Sequence, residues 1–294
     1  MLISGLTLGL GGCNGNSNSG SATTAPANNP PAIGWDKSPS AITFRLDRTL
    51  NGEANVSAAN RLPLCTLYGN GHLVWVNIIP PNGEQVLETQ LDDAAIRSFL
   101  DYLIRQQHFY SVVDYAASQL PPSGQYVVES AALNLKDAVR TVRSYGQWPN
   151  NEFQLMLNTC SHLTKQPVLY VPTGAWITVV PTTGASSDTP VIWSDNVPVR
   201  LADLAANANP TWLSGDLLGT LWLQLRRTMG AIRWQENNKS YKIILQVPNV
   251  SRDSPDAPAV TPTPFGLITA TPRKPTPLPA TPTPARTSVP GSSA

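Results

Sequence analysis

The chain has 294 residues, of which 20 are basic and 19 acidic, for a formal net charge of +1. No run of Lys or Arg breaks this balance, which excludes the electrostatic footprint of a nucleic-acid binder and of a polybasic membrane patch. Charged residues are only 13% of the sequence, well below the usual quarter, so solubility rests on neutral Asn, Ser, Thr and Pro, a habit of exported proteins.

The chain opens with a short apolar segment, Leu2 to Leu10, that runs into Leu10-Gly11-Gly12-Cys13 and then into a Gly/Asn/Ser stretch. This resembles the bacterial lipobox, in which small residues ahead of the Cys admit the modifying enzyme and the signal peptidase. The resemblance implies removal of residues 1–12 and a diacylglycerol thioether on Cys13. Each buried methylene then contributes about 0.8 kcal/mol, and two or more acyl chains hold where one does not. The apolar run is about half the ~20 residues that a membrane-spanning helix needs. No basic residue stands between Met1 and the apolar run, where a signal peptide carries one. A start codon assigned too far downstream would account for that. Residues 13–40 read as a flexible Gly/Asn/Ser/Pro tether.

Residues 41–250 carry the apolar periodicity of a folded α+β region. Ile42, Phe44 and Leu46 alternate as one face of a strand. Leu64 to Tyr68 and His72 to Asn77 flank Gly69-Asn70-Gly71, residues that tolerate positive φ, and so read as a tight hairpin. A strand ending at Gln90 leads to Asp92-Asp93, good capping chemistry, and then to Ile96, Phe99, Leu100, Leu103 and Ile104 at helical spacing. On this helix, about 93–107, Arg97 and Asp101 are spaced for an i,i+4 pair.

A second hairpin is expected over Tyr126 to Leu133 and Ala138 to Tyr145, and a second helix at about 151–163. Trp176 to Val180 and Val191 to Trp193 read as strands, Leu201 to Ala206 as a short helix and Gly215 to Met229 as a third substantial helix. Trp234 and Tyr241 to Val247 form a closing hairpin. Leu91, Ile96, Phe99 and Leu103 share their offsets with Leu213, Leu218, Leu221 and Leu225, the pattern of a duplicated strand-helix-strand unit. Residues 251–294 are a Pro/Thr tract that favours extended polyproline II and cannot bury apolar surface, so a disordered tail is expected. The predicted architecture is α+β, with mixed or antiparallel sheets, about three packing helices and two disordered arms.

Reactive groups are sparse. His72, His108 and His162 share no ligand spacing, so no metal is expected, and nothing in the sequence calls for a cofactor. No GxSxG-like nucleophile motif occurs, and no glycine loop suited to phosphate. Asp92 and Asp93 read as caps before acid/base groups. Cys65 and Cys160 remain after lipidation; in an oxidising compartment they form either a bridge or two separate buried thiols. Eight tryptophans are the one unusual enrichment. Trp75, Trp176, Trp193 and Trp234 lie in strand-like segments and are expected in the core, and Trp148 and Trp212 are the candidates for stacking on a ligand.

RLPLCTLYGNGHLVWVN, AVRTVRSYG and LWLQLRRTMGAIRWQENNKSYKIILQVPN resemble stretches of a family of uncharacterised secreted bacterial lipoproteins. That family carries a TLYGDG hairpin, a VSVYG-like strand and a closing T.W..dG..Y.v.vRP unit. Here Asn70 replaces the usual Asp and Gln246 the usual Arg. The similarity spans about residues 42–250 and implies a lipid-anchored α+β protein, without implying any activity. The sequence therefore points to a membrane-anchored, extracytoplasmic, non-enzymatic binding or interaction module. Its alternatives are a carbohydrate- or cell-wall-binding protein using exposed Trp, and a hydrolase with a dispersed active site. The partners expected are the membrane, through the N-terminal lipid, and an unknown protein or cell-wall ligand.

Overall fold

The computed structural model describes residues 33–53, 55–81, 83–183, 190–194, 196–207, 209–228 and 232–259. Cys13, the signal segment and most of both arms lie outside the described residues. The fold belongs to the first of two units, which ends at Asp256. No helix among the described residues is long and apolar enough to cross a membrane.

In chain order the elements are β1 (Ile42–Leu50), α1 (Asn55–Asn60), β2 (Cys65–Tyr68), β3 (His72–Ile79), β4 (Gly83–Gln90), α2 (Asp93–Asp101), α3 (Tyr115–Ser118), β5 (Val127–Asn134) and β6 (Val139–Ser144). There follow α4 (Glu152–Ser161), β7 (Val168–Leu169), β8 (Gly174–Thr182), β9 (Val191–Ile192), α5 (Leu201–Ala206), β10 (Thr211–Ser214), α6 (Asp216–Arg226), β11 (Trp234–Glu236) and β12 (Lys239–Gln246). Short 3-10 and π-helical pieces fill some of the connections. The protein is α+β. A seven-stranded sheet runs β6-β5-β1-β2-β3-β4-β7 with every pairing antiparallel. A five-stranded sheet runs β10-β8-β12-β11-β9 and is mixed, because β9 pairs parallel to β11.

The strands β2 and β3 are apolar on both faces, and two cores form back to back on them. Cys65, Leu67, Leu73 and Trp75 point to the first core, where α2 contributes Ile96, Phe99 and Leu100 and α4 contributes Phe153, Met156 and Cys160. Tyr68, Val74 and Val76 point to the second, which holds Leu218, Leu221, Trp222 and Leu225 of α6 and the inner face of the five-stranded sheet. Each such side chain contributes about 1.5–3 kcal/mol on burial. Packing shape therefore decides register here, since a one-residue slip would exchange these rows between the two cores.

The hairpin between β2 and β3 shows why glycine stands on both sides of Asn70. A Cβ on Gly69 would run into the carbonyl oxygens of Asp36 and Ser38, because the entering chain crosses directly over the turn. There Trp35, 3% exposed, donates from Nε1 to the Gly69 carbonyl at 2.9 Å. Gly71 has φ 91°, which L side chains rarely adopt, and a Cβ on it would meet the Leu91 carbonyl. Asn70 needs only an acceptor oxygen: its Oδ1 takes the His72 N–H at 3.0 Å.

One polar junction ties the second core together. Arg226 of α6 pairs with Glu84 of β4, both almost fully buried. Arg226 Nη2 also donates to the Asn60 carbonyl at 2.8 Å. The Asn60 side chain donates to Ile243 O at 2.7 Å and accepts from Leu245 N at 2.9 Å, so α1, α6, β4 and β12 share one network. Burial opposes both charges, pushing the Glu84 carboxyl up and the Arg226 guanidinium down, and each partner offsets this for the other.

Several expectations are revised. Asp101 pairs with Arg105 at 2.8 Å rather than with Arg97, whose guanidinium lies over the Trp35 ring at 5.5 Å; the indole offers Arg97 a face that the helix surface does not. Asp92 caps α2 through Ala95 N at 2.7 Å. Trp75, Trp193 and Trp234 are core residues, but Trp176 is half-exposed on β8. Outside residues 41–250, Trp35 is buried and Arg252 holds Asp47 with Nε and Nη2 at 2.6 Å each. Ile96, Phe99 and Leu103 are buried like Leu218, Leu221 and Leu225, but Leu91 is buried where Leu213 is only partly so, and β4 lies inside the large sheet while β10 is at the edge of the small one.

Cys65 and Cys160 are joined in a disulfide, with Cα atoms 6.6 Å apart and 95 residues of separation. A link that closes so long a loop restricts the unfolded chain strongly. Reduction should lower the unfolding free energy by about 2–5 kcal/mol in urea titrations followed by far-UV dichroism. Equal stability with and without reductant would contradict it.

Candidate ligand site around Trp148

The segment from β6 to α4 is built to hold one tryptophan at the surface. After Ser144 the chain turns through Tyr145 and Gly146, the latter at φ 75°. The turn is closed by Ser144 Oγ, which donates to Gln147 O at 2.5 Å and accepts from Gln147 N at 3.1 Å. Pro149 follows Trp148, and then Asn150 and Asn151 both occupy the left-handed region, at φ 52° and 55°. Asn tolerates this conformation better than other side-chain-bearing residues. The double left-handed step reverses the chain into α4 beside Trp148.

Trp148 is half-buried. Its ring lies 5.6 Å from Phe153 of α4 and 6.1 Å from Tyr115 of α3, centroid to centroid. Its Nε1–H is buried and has no hydrogen-bond partner among the described residues. A buried donor without a partner costs about 1–3 kcal/mol, which a ligand acceptor would recover. Trp148 is also one of the residues lining a cavity of about 420 Å³, with Glu129, Gly146, Gln147, Asn151, Phe153 and Gln154.

The chemistry of that lining is specific. Glu129 on β5 is 8% exposed, and Arg48 on β1 donates to the same oxygen, Oε1, from Nε at 2.9 Å and from Nη2 at 2.6 Å. Oε2 thus keeps its accepting capacity while the carboxylate charge is neutralised. The Arg48 guanidinium also lies 5.7 Å over the Phe153 ring, fixing both. Gln147, Asn151 and Gln154 add planar amides, each both donor and acceptor. An aromatic plate, three amides, one indole N–H and a neutralised carboxylate suit a neutral, hydroxyl-rich ligand.

The other tryptophan proposed from sequence stands elsewhere. Trp212 on β10 pairs with Trp176 on β8, lies against Gly174, and does not line the Trp148 cavity. A larger hollow of about 740 Å³ is floored by Ala202, Ala205 and Ala206 of α5, with exposed Asn238 and Lys239 at its rim. His72 Nε2 bonds Glu88 Oε2 at 2.8 Å, stacked on Tyr68 at 5.6 Å. His72 pairs with Gln90 and Glu88 with Val74 across β3 and β4, so the two form a diagonal cross-strand pair. His162 caps the end of α4 through Asn158 O at 2.6 Å, and His108 sits in a left-handed turn. No cluster of His, Cys, Asp and Glu among the described residues could hold a metal ion.

Glu129, Gln147 and Gln154 escaped the sequence reading. A strand Glu facing a strand Arg is ordinary surface patterning, and only the Gly146 turn with the Asn150-Asn151 pair hinted at an unusual loop. No protein-family profile, curated protein or solved structure matches this chain.

At the start of α4, burial raises the Glu152 carboxyl above its ordinary 4.5, and its Oε2 has no hydrogen-bond partner among the described residues. Burial raises the Tyr115 hydroxyl too, with the Glu152 charge second. A carboxyl whose folded value is raised favours folding below its ordinary value, and that contribution is lost as pH rises from about 4.5 through the raised value. Glu152→Gln should therefore flatten the fall in stability on raising pH through this window, read as melting temperature. An unchanged slope would contradict it.

Proposed function

We propose that this chain is an exported bacterial lipoprotein, held at the outer face of the membrane by acyl chains on Cys13. Its folded body is a non-enzymatic binding module that takes a neutral, hydroxyl-rich ligand, of the kind offered by envelope carbohydrate, in the Trp148 cavity. The observation that carries the reading is the buried, unpartnered Nε1–H of Trp148, which itself lines a cavity of amides and a neutralised carboxylate. Sugar rings present apolar C–H faces to an indole and hydroxyls to amides and carboxylates, which matches this lining. The Cys65–Cys160 bridge agrees with an oxidising compartment, and the lipobox-like Leu10-Gly11-Gly12-Cys13 and the family resemblance support the anchor.

Two experiments separate address from activity. Cys13→Ser should move the protein from the membrane fraction to the soluble fraction and abolish labelling by fatty-acid analogues. Membrane partition without lipid in either version would overturn the anchor. Titration calorimetry of the Cys13→Ser chain with neutral oligosaccharides released from the producing cell's envelope should give binding that weakens about ten-fold or more in Trp148→Ala, equivalent to about 1.4 kcal/mol. Trp148→Phe, which keeps a ring but loses the N–H, should fall between. Equal affinity in all three, or none in the parent, would overturn the ligand class.

A further inference from the structure

The outer face of the five-stranded sheet carries a row formed by three neighbouring strands. Trp212 of β10 is the cross-strand partner of Trp176 of β8, and Trp176 is in turn the partner of Gln246 of β12. The two indoles are half-exposed and meet edge to face, 5.2 Å apart. Trp212 can lie against the sheet because position 174 is glycine: a Cβ there would collide with its ring. Such an aromatic pair, with indole and amide N–H groups beside it, is a typical reader of extended peptide.

The row already holds a peptide. Gln246 Nε2 donates to the Asp253 carbonyl at 2.7 Å, and Trp176 Nε1 donates to the Asp256 carbonyl at 2.9 Å. The two accepting carbonyls are three residues apart. After the turn at Asp253 the segment has no helix or strand, and a spacing of three residues matches polyproline II, which leaves its carbonyls free for outside donors. Between them lies Pro255, and the sequence continues to Pro258, a Pro-x-x-Pro spacing. The same spacing recurs at Pro272 and Pro275 and at Pro279 and Pro282.

We propose that Trp212, Trp176 and Gln246 form a recognition site for extended Pro-x-x-Pro peptide, whose resident ligand is the root of this chain's own Pro/Thr-rich arm. In the folded unit the site holds the chain through the Asp253 and Asp256 carbonyls. It is separate from the Trp148 cavity and stands whether or not that cavity binds sugar.

The test uses the full chain carrying Pro255→Gly and Pro258→Gly, which weakens the resident, titrated with a synthetic peptide of residues 253–264. The expected result is binding at least ten-fold tighter than by the unsubstituted chain, whose site is filled, and at least ten-fold tighter than for a peptide with the same two prolines changed to glycine. Adding Trp212→Ala should abolish it, and Gln246→Ala, which leaves both indoles in place, should weaken it several-fold. In the unsubstituted chain, exchange of the Trp176 indole proton should be slow, and about ten-fold faster in Trp212→Ala. No binding, binding indifferent to proline, or indole exchange unaffected by Trp212→Ala would overturn the proposal.

Discussion

The bridge between Cys65 and Cys160 is the constraint on which the candidate site rests. Cys65 lies in the middle of the large sheet and Cys160 in the last turn of α4, so the bond pins that helix to β2 across 95 residues of chain. The other end of α4 then has a fixed place. Phe153, in its first turn, forms the wall against which Trp148 leans, while Asn151 and Gln154 reach the cavity. Without the bridge, Phe153, Met156 and Cys160 would hold a ten-residue helix by a single apolar stripe.

The second layer of support is electrostatic and local. Arg48 does two things at once: it neutralises Glu129 and lies over Phe153. It thereby joins β1, β5 and α4 at the cavity and gives a lining polar but close to neutral. The net charge of the whole chain is also small, at +1. The two tryptophans singled out from composition serve different ends. Trp148 stands over a concave lining of amides, whereas Trp212 belongs to a flat row on the opposite sheet that meets the departing chain through its neighbours.

Much of the fold was legible because it is written in local periodicity. The helix from Asp93, the hairpin at Gly69-Asn70-Gly71 and the closing hairpin around Asn237-Asn238 follow from apolar spacing, capping and positive-φ residues, each of which acts within a few positions. What escaped is non-local. β7 and β9 are two residues each, too short to show alternation. Trp75 and Trp176 sit in strands of the same apolar character, but β3 is covered on both faces and β8 on one, which composition cannot reveal. Arg97 turned from Asp101 to Trp35 because a segment expected to be a tether crosses the α2 surface. The cysteine pairing depended on a distance across 95 residues. At the site, Trp148 could be named from sequence, but Glu129 and Arg48 could not, since their meaning comes from the helix laid over them.

The most direct test is a crystal structure of the Cys13→Ser protein soaked with neutral envelope oligosaccharide. The account requires sugar density in the cavity between Trp148 and Gln154, with a hydroxyl oxygen within hydrogen-bond distance of Trp148 Nε1 and the Arg48–Glu129 pair intact. Sugar bound on another face, with the Trp148 cavity left to solvent, would contradict it.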